Sequence, residues 1–360
     1  MRQLATGLAR LTTRPWTLME VCGGQTHAIV RWGLDQLLPP ELRLIHGPGC
    51  PVCVTPAATI EAALALARRP EVILCSYGDM LRVPGTGRED LLAVRAAGGD
   101  VRLLTSPLQA LALAGAEPDR QVVFLAVGFE TTAPATALLA RQALALGLAN
   151  LSLLVAHVRV APAMETILAD PASHVQGFLA AGHVCAVQGT ADLEDLVGRW
   201  QVPVVVSGFT PLELMGALLA CVRQLEAGEA RLENGYGAVV RQGGNRAARA
   251  LLEEVFTVVD RPWRGFGVIP GGGLDLRDPY STLDARRRFP LETTPQDRNL
   301  TICAPCRPGP DPCIAAAILR GQALPRDCPA FGGACTPERP LGAPMVSSEG
   351  ACAAYHRYRR

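Results

Sequence analysis

The stretch LRLIHGPGCPVCVTPAATIEAALALARR, residues 42–69, holds the rhythm that decides the fold. LRLIH reads as a short aliphatic strand and GPGCPVC as a loop stiffened by glycine and proline. TPAATIEAALALARR then reads as a helix, with Thr55 as N-cap and Pro56 at the first helical position. The same unit recurs from residue 16 to about residue 207. WTLMEV, LRLIH, EVILCS, VRLLT, QVVFLAVG, LSLLVAHV, HVCAVQG and VPVVVSG alternate as candidate strands with alanine- and leucine-rich helical segments, the pattern of βα units around a parallel sheet. The expected class is therefore α/β. GAEPDR, residues 115–120, separates two series of strands, and each series is expected to build its own sheet. After the helical stretches PLELMGALLACVRQLEAG and NRAARALLEEVF the pattern dissolves near residue 262 into WRGFGVIPGGGLDL, and beyond residue 300 into a tail rich in cysteine and proline. The expected organisation is two α/β domains, 1–117 and 118–261, and a small cysteine-rich domain, 262–360.

Composition narrows the partners. At 360 residues and 49% hydrophobic content the chain is long enough for two or three cores. With 34 basic and 33 acidic side chains the formal charge is +1, so no field exists to hold nucleic acid or an anionic membrane. Arginines at 2, 10 and 14 break up any secretory leader, and Arg141 and Gly147 interrupt the longest apolar run short of the ~18 residues that a membrane span needs. The expected compartment is the cytoplasm, where twelve cysteines are mostly reduced thiols and their clustering points to metal or redox chemistry.

The unusual residues begin where candidate strands end. Cys22 in CGGQTH follows WTLMEV, Cys50 and Cys53 follow LRLIH, YGDM follows EVILCS, and FETTAP follows VVFLAVG. Loops at the carboxyl ends of parallel strands form the ligand crevice, so these motifs are expected to converge. Gly23 and Gly24 permit a tight loop, and a helix N-terminus beside Cys22 is expected to lower its pKa. Cys50-Pro51-Val52-Cys53 is half of a tetrahedral metal site or a vicinal dithiol. His27 shares a loop with Cys22; His46, His157 and His183 sit near other strand ends. Asp79 and Glu130 are candidate proton carriers or caps of the helices that follow them, and Cys75, Cys185 and Cys221 are expected in the core. Six tail cysteines, Cys303, Cys306, Cys313, Cys328, Cys335 and Cys352, imply a metal centre, either zinc or an iron–sulfur cluster. No phosphate-binding G-x-x-x-x-G-K-[ST] is present.

In their order, MEVCGGQTHAI, HGPGCPVC, SYGDMLRVPG, VGFETTAP, GHV, WRGFGVIP and CPAFGGACTPERPLGAPMVSSEGACAAY resemble the [NiFe]-hydrogenase maturation factor HypD family across nearly the whole chain. The resemblance implies two parallel-sheet α/β domains plus a small [4Fe–4S] domain. It implies a HypC-type chaperone and a HypE-type cyanide donor as partners, and a scaffold on which an iron acquires its Fe(CN)2CO ligands. Cys22 then corresponds to the thiolate that holds this transient iron, Cys50 and Cys53 to a redox-active dithiol, and His27 to a neighbouring proton-handling group. Cys313, Cys328, Cys335 and Cys352 fall on the cluster positions. The sequence departs from the family at Ala315 and Ala316, where a cysteine and a glycine are common, and at Thr210, where an acid is usual; Cys303 and Cys306 lie outside the family pattern. Two rival readings stay open: an iron–sulfur-dependent disulfide reductase acting on a thioredoxin-like partner, and a structural protein with zinc in its tail.

Overall fold

A computed structural model describes residues 1–291 and 313–359. Cys303 and Cys306 lie outside the described residues. Among the described residues nine strands form two parallel sheets. The first contains β1 (Trp16–Glu20), β2 (Leu42–His46), β7 (Gly177–Ala181), β8 (Val204–Ser207) and β9 (Leu232–Asn234) in the order β2-β1-β7-β8-β9. The second contains β3 (Val72–Ser76), β4 (Asp100–Leu103), β5 (Gln121–Gly128) and β6 (Leu151–His157) in the order β4-β3-β5-β6. The α/β class is as the sequence implies.

Alternation along the strands sorts the cores. Met19, Ile45, Leu74, Val123, Leu125, Phe178 and Val206 point to a shared apolar core that both sheets build with helices Ala57–Ala67, Val160–Ala169 and Ala191–Trp200. Their neighbours face outward. Ile73, Val122 and Phe124 pack under helices Ala133–Ala145 and Arg246–Val255, while Leu18, Leu44 and Val205 pack under Pro211–Ala227. Burial on both faces explains why these strands read as nearly continuous apolar runs.

Three expectations fail, each for a physical reason. Sheet membership does not change at residues 115–120: β5 pairs in parallel with β3, and the chain returns to the first sheet only at β7, beside β1. GAEPDR is merely the return from helix Gln109–Ala116 to β5. HVCAVQG is not a strand, because Gly182–Gln188 is helical and GFLAA just before it supplies β7. Its valines give it a strand-like pattern, but Gly182 is pressed so close to β8 that a Cβ would lie 2.5 Å from Ser207 O, and the chain turns there. Thr55 is not the N-cap of the helix after CPVC. Pro51–Val54 forms its own short turn, the Thr55 hydroxyl donates to Pro51 O at 2.8 Å, and Pro56 is the N-cap of Ala57–Ala67.

Where the periodic pattern dissolves, an antiparallel hairpin forms from β10 (Phe256–Trp263) and β11 (Gly267–Leu276). The C-terminal helix Ala351–Tyr358 lies on helix Gly23–Trp32, with Val30, Ala354 and Tyr355 in one small core.

Candidate functional site

Each parallel sheet reverses its winding once, between β1 and β7 in the first and between β3 and β5 in the second. At such a point the connections leave on opposite faces and open a crevice beyond the strand ends. Cys22 follows β1, Asp79 follows β3, Glu130 follows β5 and Cys185 lies in the helix after β7. Glu130 and Cys22 both push the Cys185 thiol up, and Asp79 pushes up the Glu349 carboxyl of the tail, so these groups act on one another across the strand ends.

β1 and β2 pair in register from Trp16↔Leu42 to Glu20↔His46, which delivers their loops to one rim. Gly47 N–H donates to Glu20 O and Gly23 N–H to Gly49 O, both at 2.8 Å. A Cβ on Gly49 would lie 2.4 Å from Cys22 N, so only glycine lets the two cysteine-bearing loops touch backbone to backbone. Cys22 is the N-cap of Gly23–Trp32, and its side chain makes no capping bond. The expected lowering of its pKa is reversed. Burial pushes the thiol up to about 12, outweighing the Gln25 N–H that pulls it down, and Glu20 and Glu349 add to the rise.

Glu20 is the residue that sequence reasoning missed. Wholly buried, it accepts Cys22 N–H at 2.9 Å on Oε2, and the Thr26 hydroxyl on Oε1. His46 Nδ1 lies 2.7 Å from the same Oε1, and His46 Nε2 lies 3.2 Å from the Tyr355 hydroxyl. Its signal was available: a single carboxylate at the carboxyl end of an otherwise apolar strand.

His27 is turned toward the tail. Its Nδ1 lies 3.0 Å from Ser348 O and its Nε2 3.2 Å from the Tyr358 hydroxyl, so both ring nitrogens join the C-terminal segment to helix Gly23–Trp32. Cys50 and Cys53, both buried, are joined as a disulfide with Cα atoms 5.3 Å apart, and Cys53 N–H donates to Cys50 Sγ.

In the tail, Cys328, Cys335 and Cys352 share an apolar cluster with Ile318, Ala330 and Met345. Burial pushes the Cys352 thiol up, and the charges of Cys313, Cys335 and Cys328 push it further. Among the described residues no three His, Cys, Asp or Glu side chains stand at the spacing of a single bound metal ion.

The remaining candidates separate. His157 is a buried structural residue between Gly128 O and Thr136 Oγ1, and burial lowers it to about 4. His183 is exposed and lies against Phe209, ring centroids 4.0 Å apart. Among the described residues Asp79 makes no capping bond, and its charge helps to push the Glu349 carboxyl up. Glu130, 3% exposed, caps Val160–Ala169 and not the helix that follows it, accepting Val160 N–H at 3.0 Å on Oε1. Among the described residues its Oε2 has no hydrogen-bond partner, and burial raises the carboxyl to about 7. It lines a small pocket of about 20 Å³ with Met164, Val184, Cys185 and Asp192. Cys75 and Cys221 are core.

A family model described as HypD, hydrogenase formation hypA family, matches residues 1–359. The chain belongs to this family. It is 48% identical to the hydrogenase expression/formation protein HupD of Azotobacter chroococcum, over all of this chain and 94% of that one. It is 48% identical to the hydrogenase maturation factor HypD of Azotobacter vinelandii, with the same coverage, and 42% identical to that of Escherichia coli K12 over 100% and 94% of the two chains. It is thus a hydrogenase maturation factor of the HypD family. The departures from the HypD pattern have local explanations. Thr210 is the N-cap of Pro211–Ala227 in a reciprocal capping box with Glu213, a position that Thr and Asp fill alike. Ala315 and Ala316 are packed against Gly342 and Gly265. Among the described residues no helix is long and apolar enough to cross a membrane.

Proposed function

We propose that this HypD-family chain is a redox-active scaffold on which the Fe(CN)2CO unit is assembled, together with a HypC-type chaperone and a HypE-type cyanide donor. One observation carries the reading: the Cys22 loop lies at a sheet's switch point in backbone contact with the Cys50–Cys53 loop. The iron is cargo. Cyanide and carbonyl favour low-spin Fe(II), a soft ion for which thiolates are fitting donors. Cys22 supplies one thiolate and the chaperone a second, which leaves positions free for the diatomic ligands. Glu20 fixes the Cys22 backbone, and Glu20 and Glu349 give the crevice a negative character that resists a lone thiolate and attracts a divalent cation.

The tail fits a [4Fe–4S] cluster by its donor set. Cys328, Cys335 and Cys352 share an apolar cluster and Cys313 stands near Cys352, whereas a single ion would hold its four thiolates each ~2.3 Å from one centre. A four-iron cluster takes one thiolate per iron and spreads its ligands farther apart. When bound, it supplies single electrons at low potential. Cys50 and Cys53 accept two electrons and two protons as their S–S bond opens to two thiols, the electrons coming ultimately from a ferredoxin-class carrier.

Anaerobic purification, iron and sulfide analysis and an absorption spectrum test the proposal. The expected result is a brown protein with about four irons and matching sulfide. Zinc in the tail, with no sulfide, overturns it. The disulfide observed at Cys50–Cys53 also favours the reductase alternative, which is selected if a thioredoxin-like partner is reduced and no cyanide or carbonyl is ever carried.

A further inference from the structure

The hairpin tip Arg264-Gly265-Phe266 joins β10 to β11 and is wedged between the two groups of cysteines. On one side it grips the Cys50–Cys53 turn. Arg264 N–H donates to Val54 O at 2.7 Å, and Arg264 Nε donates to Thr55 O at 2.8 Å. On the other side it meets Ala315–Leu319, the helix just after Cys313. Arg320 Nε donates to Gly265 O at 2.8 Å, and its guanidinium lies over the Phe266 ring at 5.6 Å. Gly265 has φ +86°, and a Cβ there would come within 3.2 Å of Ala316 Cα and Cβ. The tip is fixed at both ends.

Arg264 Nη2 is buried and makes no hydrogen bond among the described residues. A guanidinium carries five donors, and leaving one enclosed without an acceptor is a standing cost that packing alone does not require. Burial pushes the guanidinium pKa down, and the nearby Cys313 pulls it back up.

We propose that Arg264 is a positioning residue, a fixed positive charge held between the Cys50–Cys53 pair and the tail cysteines that raises the reduction potential of a cluster bound through Cys313. The inference rests on the reading of Cys313, Cys328, Cys335 and Cys352 as cluster ligands. Uptake of one electron from a low-potential donor adds one negative charge and breaks no bond, and a neighbouring cation in a low-dielectric setting stabilises that state. The same arginine is hydrogen-bonded to the turn that carries Cys53, so both redox groups share one rigid contact.

The test is an anaerobic redox titration of the full chain, followed by electron paramagnetic resonance, with iron content measured alongside, for the native protein, Arg264→Gln and Arg264→Lys. Arg264→Gln is expected to shift the one-electron equilibrium at least tenfold toward the oxidised form, about 59 mV lower. Arg264→Lys, which keeps the charge, is expected to stay within about threefold of the native protein. Equal potentials in all three overturn the inference. Loss of iron from Arg264→Gln but not from Arg264→Lys supports it, because four thiolates then need the counter-charge. Loss from both overturns it in favour of packing alone. A native protein without iron or sulfide overturns instead the cluster reading beneath it.

Discussion

Replacing Glu130 by Gln tests whether the crevice between the sheets holds a desolvated acid. In the unfolded chain Glu130 ionises near 4.5, and in the folded protein near 7, because burial penalises the carboxylate. Between those values the unfolded state binds fewer protons, so stability falls as pH rises through the window, and the full loss is present above about 7. At roughly 1.4 kcal/mol per pH unit the loss is about 3 kcal/mol. His157 works in the opposite sense. Held neutral down to about 4 against an ordinary 6.5, it costs stability as pH falls through that window. The two slopes overlap and nearly cancel in the native protein, and Glu130→Gln removes only one of them. The assay is scanning calorimetry of native and variant protein under anaerobic conditions from pH 5 to pH 8. With an unfolding entropy of roughly 2 cal/mol/K per residue, 3 kcal/mol corresponds to about 4 °C for a chain of 360 residues. The variant should gain about that much on the native protein as pH rises from 5 to 8, on top of a constant offset from the substitution itself. A difference that stays constant over the range refutes the reasoning, since Glu130 would then ionise like an exposed carboxylate.

Other perturbations separate the parts of the site. Cys328→Ala should lose most of its iron in an anaerobic metal analysis and expose the tail to limited proteolysis, because thiolate binding and folding are coupled there. Gly49→Ala forces a methyl group to within about 2.4 Å of the Cys22 backbone, so it should abolish hydrogenase maturation in a complementation assay while tail iron is retained. Phe124→Ala, at a fully buried position of β5, should destabilise the second sheet by about 3–5 kcal/mol in denaturant titration without altering the reactivity of Cys22.

Much of this was legible in the chain because period and punctuation are local. WTLMEV, LRLIH and QVVFLAVG became strands, and Cys22, Cys50 and Cys53 lie at the carboxyl ends of two of them. Sheet membership was not legible. A parallel crossover leaves no local mark of which earlier strand the chain will rejoin, so the return of β7 to β1 is invisible in sequence. HVCAVQG misled because short runs with valines fit either period, and Gly182 acts through a close approach to Ser207 that only the fold creates. The rise of the Cys22 pKa was equally hidden: the helix N-terminus is local, whereas burial and the charge of Glu349 from the tail are tertiary. Arg264 lies in WRGFGVIP, a stretch read as the end of the periodic pattern and as a family motif without a role for the arginine, and its partners are more than two hundred residues earlier.

Infrared spectroscopy of the chain purified anaerobically with a HypC-type partner tests the central claim most directly. The native complex should carry bands of iron-bound cyanide and carbonyl, and the Cys22→Ala complex should lack them while keeping the iron and sulfide of the tail. The same bands at full intensity in Cys22→Ala would contradict the account, because the iron would then be held elsewhere than on the loop after β1.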